Sequence, residues 1–190
     1  MKIHQLPLVF CILGTLWVPA ALNAQSLQAN SAQPAKTETP PVRNTKEWNL
    51  SKKEIAAKGY DVVAYFPEGG SAAMKGSKKI QATFKGVVYR FSSESNKASF
   101  LKNPLRYEPA YGGWCAWAMS KGSKTDINPK TFIVKNNRLY LFYNALFGNT
   151  KTDWLEGDHD DLVEDADTQW KTFTNESPPE PSSISMPDSP

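Results

Sequence analysis

Cysteine and histidine, the side chains that most often bind soft metals or carry nucleophilic chemistry, are scarce in this sequence. Each occurs twice among 190 residues, and Cys11 and His4 lie in an N-terminal segment that we expect to be removed. The remaining chain holds one thiol, Cys115, and one imidazole, His159. These counts exclude an intramolecular disulfide, a dithiol redox cycle, a histidine-rich metal site and a catalytic triad built on several histidines.

Long apolar runs and nucleotide-binding motifs are also missing. The apolar run from Leu6 to Val18 has 13 residues, whereas a membrane-spanning helix needs roughly 20. The sequence has no phosphate loop, and no nucleic-acid recognition motif accompanies its basic residues. We therefore predict neither a membrane span in the mature protein nor nucleic acid binding.

The N-terminus has the pattern of an export signal over residues 1–24. Lys2 precedes the apolar run, and small residues follow it up to Ala24, after which we place the cleavage site. Leu22 stands where a small residue is usual, so an uncleaved anchor is the alternative. The pattern predicts an exported protein, periplasmic or secreted.

The rest of the chain divides by composition. Residues 25–45 and 175–190 are polar and rich in Pro, which predicts a disordered linker and a disordered Pro/Ser-rich tail around one domain at 46–174. Basic residues outnumber acidic ones by 18 to 7 from Lys46 to Lys151, whereas eleven acids and one base follow from Asp153 onward. The simplest explanation is a solvated basic surface with the acidic end packed against it.

Three elements are predicted in the first half of the domain. Ser51–Glu54 is a capping box, which predicts a short helix that ends at Gly59. The apolar run Asp61–Phe66 is typical of a buried strand. Two extended runs between Gln81 and Phe91 flank Lys85-Gly86, which predicts a hairpin.

The next element is predicted to be a short helix that begins near Ser95. It would bury Phe100 and Leu101. It would end before Pro104, because the proline ring disfavours helical geometry in the preceding residue.

The second half contains the clearest strand pair, Thr131–Tyr143, in which Asn136-Asn137 suits a two-residue turn. Near the end of the domain, apolar residues at helical spacing define one face of a helix. These residues are Leu162, Val163, Ala166 and Trp170. The sequence thus predicts a small single-domain α+β fold of β-hairpins interleaved with short helices.

Several ordered blocks of this sequence resemble exported YHS-domain proteins. The blocks are Gly59–Phe66 (GYDVVAYF), Phe84–Ser92 (FKGVVYRFS), Asn96–Tyr107, Tyr111–Trp117 (YGGWCAW) and Leu139–Tyr143 (LYLFY). With Trp154 and Trp170, the likeness covers nearly all of the chain from Lys53 to Trp170. The resemblance implies a YHS-like domain.

The resemblance also locates a metal site that this chain has lost. Shorter YHS domains resemble treble-clef metal modules that hold a soft metal with three Cys. Those three positions fall on Ala64, Ser92 and Asn96 here. None is a thiolate, and soft metals require sulfur or imidazole, so we expect the family's usual metal site to be absent.

The block around Cys115 suggests redox chemistry as one alternative. Some exported members of the family are associated with selenocysteine at the equivalent place, which implies a nucleophile. Gly112-Gly113 predicts a tight turn, and Ala116–Ser120 a short helix with the thiol at its start, where a thiolate is favoured. The opposite interpretation is a buried, inert Cys between Trp114 and Trp117.

Copper binding and dimerisation are two further hypotheses for the same thiol. Met119 lies four residues after Cys115, on one face if the segment is helical, and a Cys–Met pair suits Cu(I). Without a second Cys in the mature chain, a disulfide through Cys115 would link two molecules.

The remaining candidates are polar or aromatic residues. Asp61 lies within an apolar run, so we expect it to accept hydrogen bonds from backbone or Tyr groups as a structural anchor. Core packing is the commoner role of the aromatic residues, although Tyr60, Tyr111, Trp114 and Trp117 could line a ligand pocket. His159 lies in an acidic loop or helix start, where we expect it to be solvated with a raised pKa.

The sequence therefore favours an exported YHS-type binding module, for a metal ion such as Cu(I), a small ligand or a protein partner. A redox enzyme that uses Cys115 as nucleophile is the second hypothesis, and a structural or partner-binding domain is the third.

Overall fold

A computed structural model describes residues 43–176 of the protein. The predicted export signal, the linker up to residue 42 and the tail from residue 177 lie outside the described residues. Within the described part, no helix is long and apolar enough to cross a membrane.

The fold consists of three antiparallel hairpins and five helices, joined by single turns of 3-10 helix. The strands are β1 Ser77–Phe84, β2 Val87–Phe91, β3 Asn128–Lys135, β4 Arg138–Phe142, β5 Asn144–Ala145 and β6 Gly148–Asn149. The helices are α1 Glu94–Lys102, α2 Pro104–Tyr107, α3 Ala116–Ser120, α4 Thr150–Glu156 and α5 His159–Thr174. The 3-10 turns are Thr45–Glu47, Ala56–Gly59, Pro67–Gly69 and Ala110–Gly113. Strands pair only as β1–β2, β3–β4 and β5–β6 within the described residues, which confirms the small α+β fold.

Both predicted hairpins are present, and their turns explain why. Lys85 and Gly86 have φ of 47° and 83°, and Asn136 and Asn137 have φ of 52° and 57°. Positive φ at both central residues is the geometry that matches the twist of the two strands. Glycine and asparagine tolerate this geometry at low cost, so the turn residues set the register in both places.

One core of buried residues extends from the turns at 61–66 and the β1–β2 hairpin to the β3–β4 hairpin and the C-terminal helices. Every residue of β4 is buried, and α3 packs against α5. Helix α5 buries Leu162, Ala166 and Trp170 and leaves Val163 half-exposed. The predicted apolar face of this helix is therefore confirmed in its main residues.

Helix α1 differs from expectation in one side chain. The Ser93 hydroxyl caps the helix by accepting a hydrogen bond from the Asn96 amide at 3.1 Å, and the last helical residue is Lys102, before Pro104. Phe100 is fully buried, as predicted, but Leu101 is 57% exposed. The prediction for Leu101 was wrong because adjacent residues on a helix point about 100° apart, so one narrow helix cannot bury both.

The predicted helix over residues 51–59 is absent. Ser51 and Ile55 instead exchange two backbone hydrogen bonds, at 2.9 and 3.3 Å. Between them the chain reverses through Lys53 and Glu54, which have φ of 67° and 57°. The capping-box prediction was wrong because the chain closes a tight loop here, and only the short 3-10 turn Ala56–Gly59 follows.

The predicted strand at Asp61–Phe66 is buried, as expected, but forms successive turns. The Asp61 side-chain Oδ1 accepts hydrogen bonds from the backbone amides of Val63 at 2.9 Å and Ala64 at 3.3 Å. The Phe66 amide then donates to the Val63 carbonyl at 3.0 Å. These local bonds satisfy backbone groups that a strand would offer to a neighbour, so the strand prediction was wrong.

The two ends of the described chain meet at one ion-pair cluster. The Arg43 guanidinium donates to both carboxylate oxygens of Glu108, at 2.6 and 2.9 Å, and Arg43 Nε lies 3.4 Å from a Glu176 carboxylate oxygen. The Tyr89 hydroxyl donates to Glu108 at 2.7 Å. Ordered contacts therefore begin just before the predicted domain limit of 46 and continue just past 174.

The acidic C-terminal segment packs partly against basic residues, as the charge pattern suggested. Arg138 on β4 donates two hydrogen bonds to Asp167 on α5, at 3.0 and 2.7 Å. This bidentate pair holds α5 against the β3–β4 hairpin.

Candidate functional site

The Cys115 thiol lies in the core, at the residue before α3. Its exposed fraction is zero, and its backbone amide donates to the Thr125 carbonyl at 3.0 Å. The sulfur has one hydrogen-bond partner, the Thr150 hydroxyl at 3.2 Å. A second molecule could not reach this sulfur without local opening of the fold. The disulfide-linked dimer considered above would therefore require such opening.

The neighbours of Thr150 determine which atom carries the proton. The Thr150 hydroxyl also lies 3.1 Å from the Tyr143 carbonyl oxygen, to which it donates. A hydroxyl has one proton to give, so the Cys115 S–H must donate to the Thr150 oxygen. Cys115, Thr150 and the Tyr143 carbonyl therefore form one chain of hydrogen bonds.

The sulfur also lacks a base or a cation as hydrogen-bond partner among residues 43–176. Lys124, which is near in sequence, pairs with Glu47. A reactive cysteine needs a positively charged, partly exposed surrounding. The predicted helix Ala116–Ser120 is present, but it places the thiol in a sealed core.

The two residues predicted to bind copper lie in the core on one turn of helix. Met119 is fully buried, and its amide donates to the Cys115 carbonyl at 2.9 Å, so the two residues lie one helical turn apart as predicted. Across residues 43–176, no group of three or more His, Cys, Asp and Glu side chains is placed to hold a metal.

Ala64, Ser92 and Asn96 all contact the carboxylate of Asp61. Oδ2 of Asp61, which is fully buried, accepts hydrogen bonds from the Ser92 amide, the Ser92 hydroxyl and Asn96 Nδ2, each at 2.7 Å. The Ala64 amide lies 3.3 Å from Oδ1. Asp61 is thus a hydrogen-bonded anchor between two segments of the chain. The anchor role expected for Asp61 is seen, with backbone and side-chain amides and a Ser hydroxyl as donors and no Tyr.

The glycines before Cys115 form the tight turn that the sequence predicts. Gly112 and Gly113 have φ of 60° and 83°. A Cβ on Gly112 would stand 2.7 Å from the Trp170 ring and 3.0 Å from the Trp48 ring. These positions require glycine for close packing of the two indoles, which is a structural role.

The aromatic candidates differ in burial and in the neighbours that they contact. Trp114 is half-buried and donates from Nε1 to the Glu47 carbonyl at 2.7 Å, Trp117 is half-buried, and Tyr60 packs beside Lys75. Tyr111 is buried, and this burial, together with the charge of Asp167, raises its pKa above the ordinary 10.0, so its hydroxyl stays protonated. These side chains stabilise the fold around the Cys115 block.

A cavity of about 270 Å³ lies between β3 and the start of α5, away from the predicted residues. Its lining residues are Ile133, Lys135, Trp154, Leu155, Gly157, Asp158 and His159. Trp154 Nε1 donates to His159 Nδ1 at 3.1 Å. This bond fixes the imidazole as the neutral form that carries its proton on Nε2.

The environment of His159 reverses the expectation for its pKa. Partial burial lowers the pKa below the ordinary 6.5, and the charge of Lys135 adds to the effect. Asp160 and Asp158 act in the opposite direction but more weakly. The prediction of a solvated, raised-pKa histidine was wrong because the bond with Trp154, five residues earlier, draws the ring against the core.

The most exposed large apolar side chains form the tip of the β5–β6 hairpin. Leu146 is 97% exposed and Phe147 is 94% exposed. We call these two residues the hairpin tip. Turns usually carry polar residues. Single exposed leucines are common on protein surfaces, whereas an exposed apolar pair in a turn indicates a surface that binds something.

The stem below the hairpin tip is held on both sides. Asn128 Nδ2 donates to the Asn144 carbonyl at 3.2 Å, and Asn144 Nδ2 donates to the Thr131 hydroxyl at 3.1 Å. On the other strand, the Thr150 amide donates to the Tyr143 carbonyl at 3.1 Å. The Cys115–Thr150–Tyr143 hydrogen-bond chain therefore supports the base of this hairpin from the core.

The sequence contained a sign of the hairpin tip that the predictions missed. Leu146-Phe147 stands between Asn144 and Gly148-Asn149, so an apolar pair interrupts a cluster of turn residues. The sequence carries no such sign of the Trp154–His159 hydrogen bond, because that bond depends on how α4 and α5 meet.

No family model, no curated protein and no solved structure matches this chain. The candidate sites are therefore judged on their own geometry: a sealed thiol, a small cavity beside His159, and an exposed apolar hairpin tip.

Proposed function

We propose that the protein is an exported binding module of YHS type that acts through its surface. The YHS resemblance is supported by the contacts of Asp61 with the Ala64 amide, three residues further on, and with Ser92 and Asn96, about thirty residues away. The export prediction rests on the N-terminal sequence pattern.

The surroundings of Cys115 favour this module over a redox enzyme. The sulfur is fully buried, forms a hydrogen bond with the Thr150 hydroxyl, and has no base as hydrogen-bond partner in the described part of the chain. In the module, Cys115 positions the hairpin stem from below. We propose no metal-dependent step for Cys115 and Met119, because both side chains are fully buried.

The observation that carries the proposal is the exposure of the hairpin tip. Two large apolar side chains stand almost entirely in solvent on a stem that several hydrogen bonds hold in place. Such an arrangement stabilises nothing within the described fold. It gains free energy only when another surface removes the two side chains from water.

The rate of Cys115 alkylation in the folded protein tests the proposal against the redox alternative. The expected result is slow alkylation at neutral pH that becomes fast only after denaturant unfolds the chain. The blank is Cys115→Ser, which has no thiol at this position, so any alkylation that it shows comes from elsewhere in the chain, such as Cys11. Fast alkylation of the folded chain well below a pH of about 8.5, the ordinary thiol pKa, would refute the module and favour redox chemistry.

The cavity beside His159 makes small-ligand binding a second candidate. It combines an apolar wall with a fixed Nε2–H donor and the Lys135 ammonium, which is the composition of many small-molecule sites. Titration with benzoate, followed by nuclear magnetic resonance, should shift resonances of Ile133, Trp154 and His159. Leu155→Glu is the blocking variant, and unchanged resonances in the wild type would remove this candidate.

A further inference from the structure

The hairpin tip and the residues around its base have the form of a membrane-docking element. We propose that Leu146 and Phe147 insert into the interface of an anionic lipid bilayer and thereby hold the protein on a membrane surface. This inference rests on the proposed function, since it identifies the surface that the binding module recognises.

The charges near the hairpin tip are complementary to an anionic surface. Residues 144–152 contain no acid, and Lys151 directly follows the stem. Lys130 lies between Asn128 and Thr131, the two residues whose side chains bond the stem. No carboxylate of residues 43–176 lies within ion-pair distance of either lysine. Both ammonium groups are therefore available to lipid phosphates, at roughly 1 kcal/mol per lysine.

The layering of the hairpin matches the depth profile of a bilayer interface. The two outermost residues are apolar, the strands beneath them end in Asn144 and Asn149, and the lysines follow. A protein that lies on a membrane buries apolar groups about 5–10 Å deep, with polar and basic residues at headgroup level. Leu146 and Phe147 are the two central residues of the turn between β5 and β6, so both lie at the outer end of the hairpin.

The shape of the tip favours a lipid surface over a protein partner. A stable protein interface buries about 800 Å² on each side around an apolar centre. The hairpin tip offers two apolar side chains on a narrow projection, and the residues beside it are the small Ala145 and Gly148, followed by polar Asn144 and Asn149. A fluid interface accepts such a projection without a complementary pocket.

Co-sedimentation of the full chain with vesicles tests this proposal. The probes are vesicles of phosphatidylcholine alone and vesicles with a large fraction of phosphatidylglycerol. The key variant is L146S/F147S, and the matched control is L101S/L105S, which removes two exposed leucines from α1 and α2. The apolar N-terminal segment is the same in every variant, so differences between variants report the substituted residues.

Binding to anionic vesicles should fall by about tenfold or more in L146S/F147S and remain unchanged in L101S/L105S. Lys130→Gln and Lys151→Gln should each lower binding by about fivefold, and raised salt should weaken it. Circular dichroism should show that L146S/F147S remains folded, because both side chains are exposed.

Three results would overturn the membrane proposal. They are no preference for anionic vesicles in the wild type, equal binding by both double variants, and self-association that L146S/F147S abolishes without any vesicle binding. The last result would assign the tip to a protein interface. In each case the binding-module proposal survives if Cys115 stays inert in the alkylation experiment, so the two proposals fail separately.

Discussion

Replacement of Asp61 by Asn should destabilise the fold more than its small change in shape suggests. The carboxylate is fully buried and accepts five hydrogen bonds. Three reach Oδ2 from Ser92 and Asn96, and two reach Oδ1 from the amides of Val63 and Ala64. An amide side chain has one acceptor oxygen, so one of these two groups of donors must face an NH₂.

The lowest-cost orientation of the substituted amide in Asp61→Asn keeps its oxygen at the position of Oδ2. The amides of Val63 and Ala64 then lose their acceptor, at about 1–3 kcal/mol for each unsatisfied buried donor. Removal of the charge also removes its desolvation cost, which offsets part of the loss. We therefore expect the free energy of unfolding to fall by about 2–4 kcal/mol, against a typical total of about 5–15 kcal/mol.

Urea unfolding followed by circular dichroism at pH 7 measures this loss. With a denaturant slope of about 2 kcal/mol per molar urea, the midpoint should fall by about 1–2 M. Asp126→Asn is the control, because Asp126 also accepts bonds from Asn49 and the Ile127 amide but its side chain is 58% exposed. That change should cost under about 1 kcal/mol.

The reasoning about the anchor fails if Asp61→Asn unfolds within about 0.5 kcal/mol of the wild type. It also fails if the two variants lose equal stability, since burial would then have no bearing on the cost.

Three further predictions concern other parts of the fold. Because the folded state lowers the pKa of His159, the unfolded chain takes up a proton at a higher pH than the folded chain does. The contribution of His159 to stability should therefore be complete above about pH 6.5 and should fall as the pH drops below it. Urea unfolding at pH 7.5 and 5.5 should show this loss in the wild type, and His159→Gln, which keeps an acceptor for Trp154, should remove it. Glu108→Gln should lower stability by roughly 1.5–3 kcal/mol, because the buried Arg43 loses its nearer carboxylate partner and keeps only Glu176, and an unchanged melting temperature would contradict this. Asn137→Gly should raise the melting temperature slightly and Asn137→Val lower it, because the residue has φ of 57°; equal melting temperatures would show that the turn does not constrain the hairpin.

The hairpins were predictable because their turn residues carry the information locally. Lys85-Gly86 and Asn136-Asn137 accept positive φ at both central positions. The flanking β-branched and aromatic residues favour the two strands. The helix face at Leu162, Ala166 and Trp170 was predictable for a similar reason, because the helical spacing of these apolar residues can be seen within one short segment.

The region from Ser51 to Phe66 was not predictable by the same rules. Its conformation depends on left-handed residues such as Lys53 and Lys58, which no propensity favours, and on the Asp61 side chain, which competes with strand pairing. Asp61 is itself held by Ser92 and Asn96, about thirty residues away. Local pattern could indicate burial here, but only long-range contacts decide between strand and turn.

The sequence identified the residue types of the candidate site, but it did not predict which of these residues are buried and which are exposed. The sequence predicted the tight turn at Gly112-Gly113 and the helical spacing of Cys115 and Met119, but it left open whether the thiol is buried. The structure buries the thiol and bonds it to Thr150. The apolar pair Leu146-Phe147 was visible in the sequence. Its exposure, however, follows from the fixed stem beneath it.

The cluster at Arg43, Glu108 and Glu176 has a topological consequence. Because the first and last described residues lie within a salt-bridge distance of each other, a short peptide could join residue 176 to residue 43 without crossing the core. New termini opened at Asn136-Asn137 would then give a circular permutant that preserves every contact except one turn. In such a chain β3 and β4 would be the terminal strands, and their pairing would depend on the rest of the fold to bring them together.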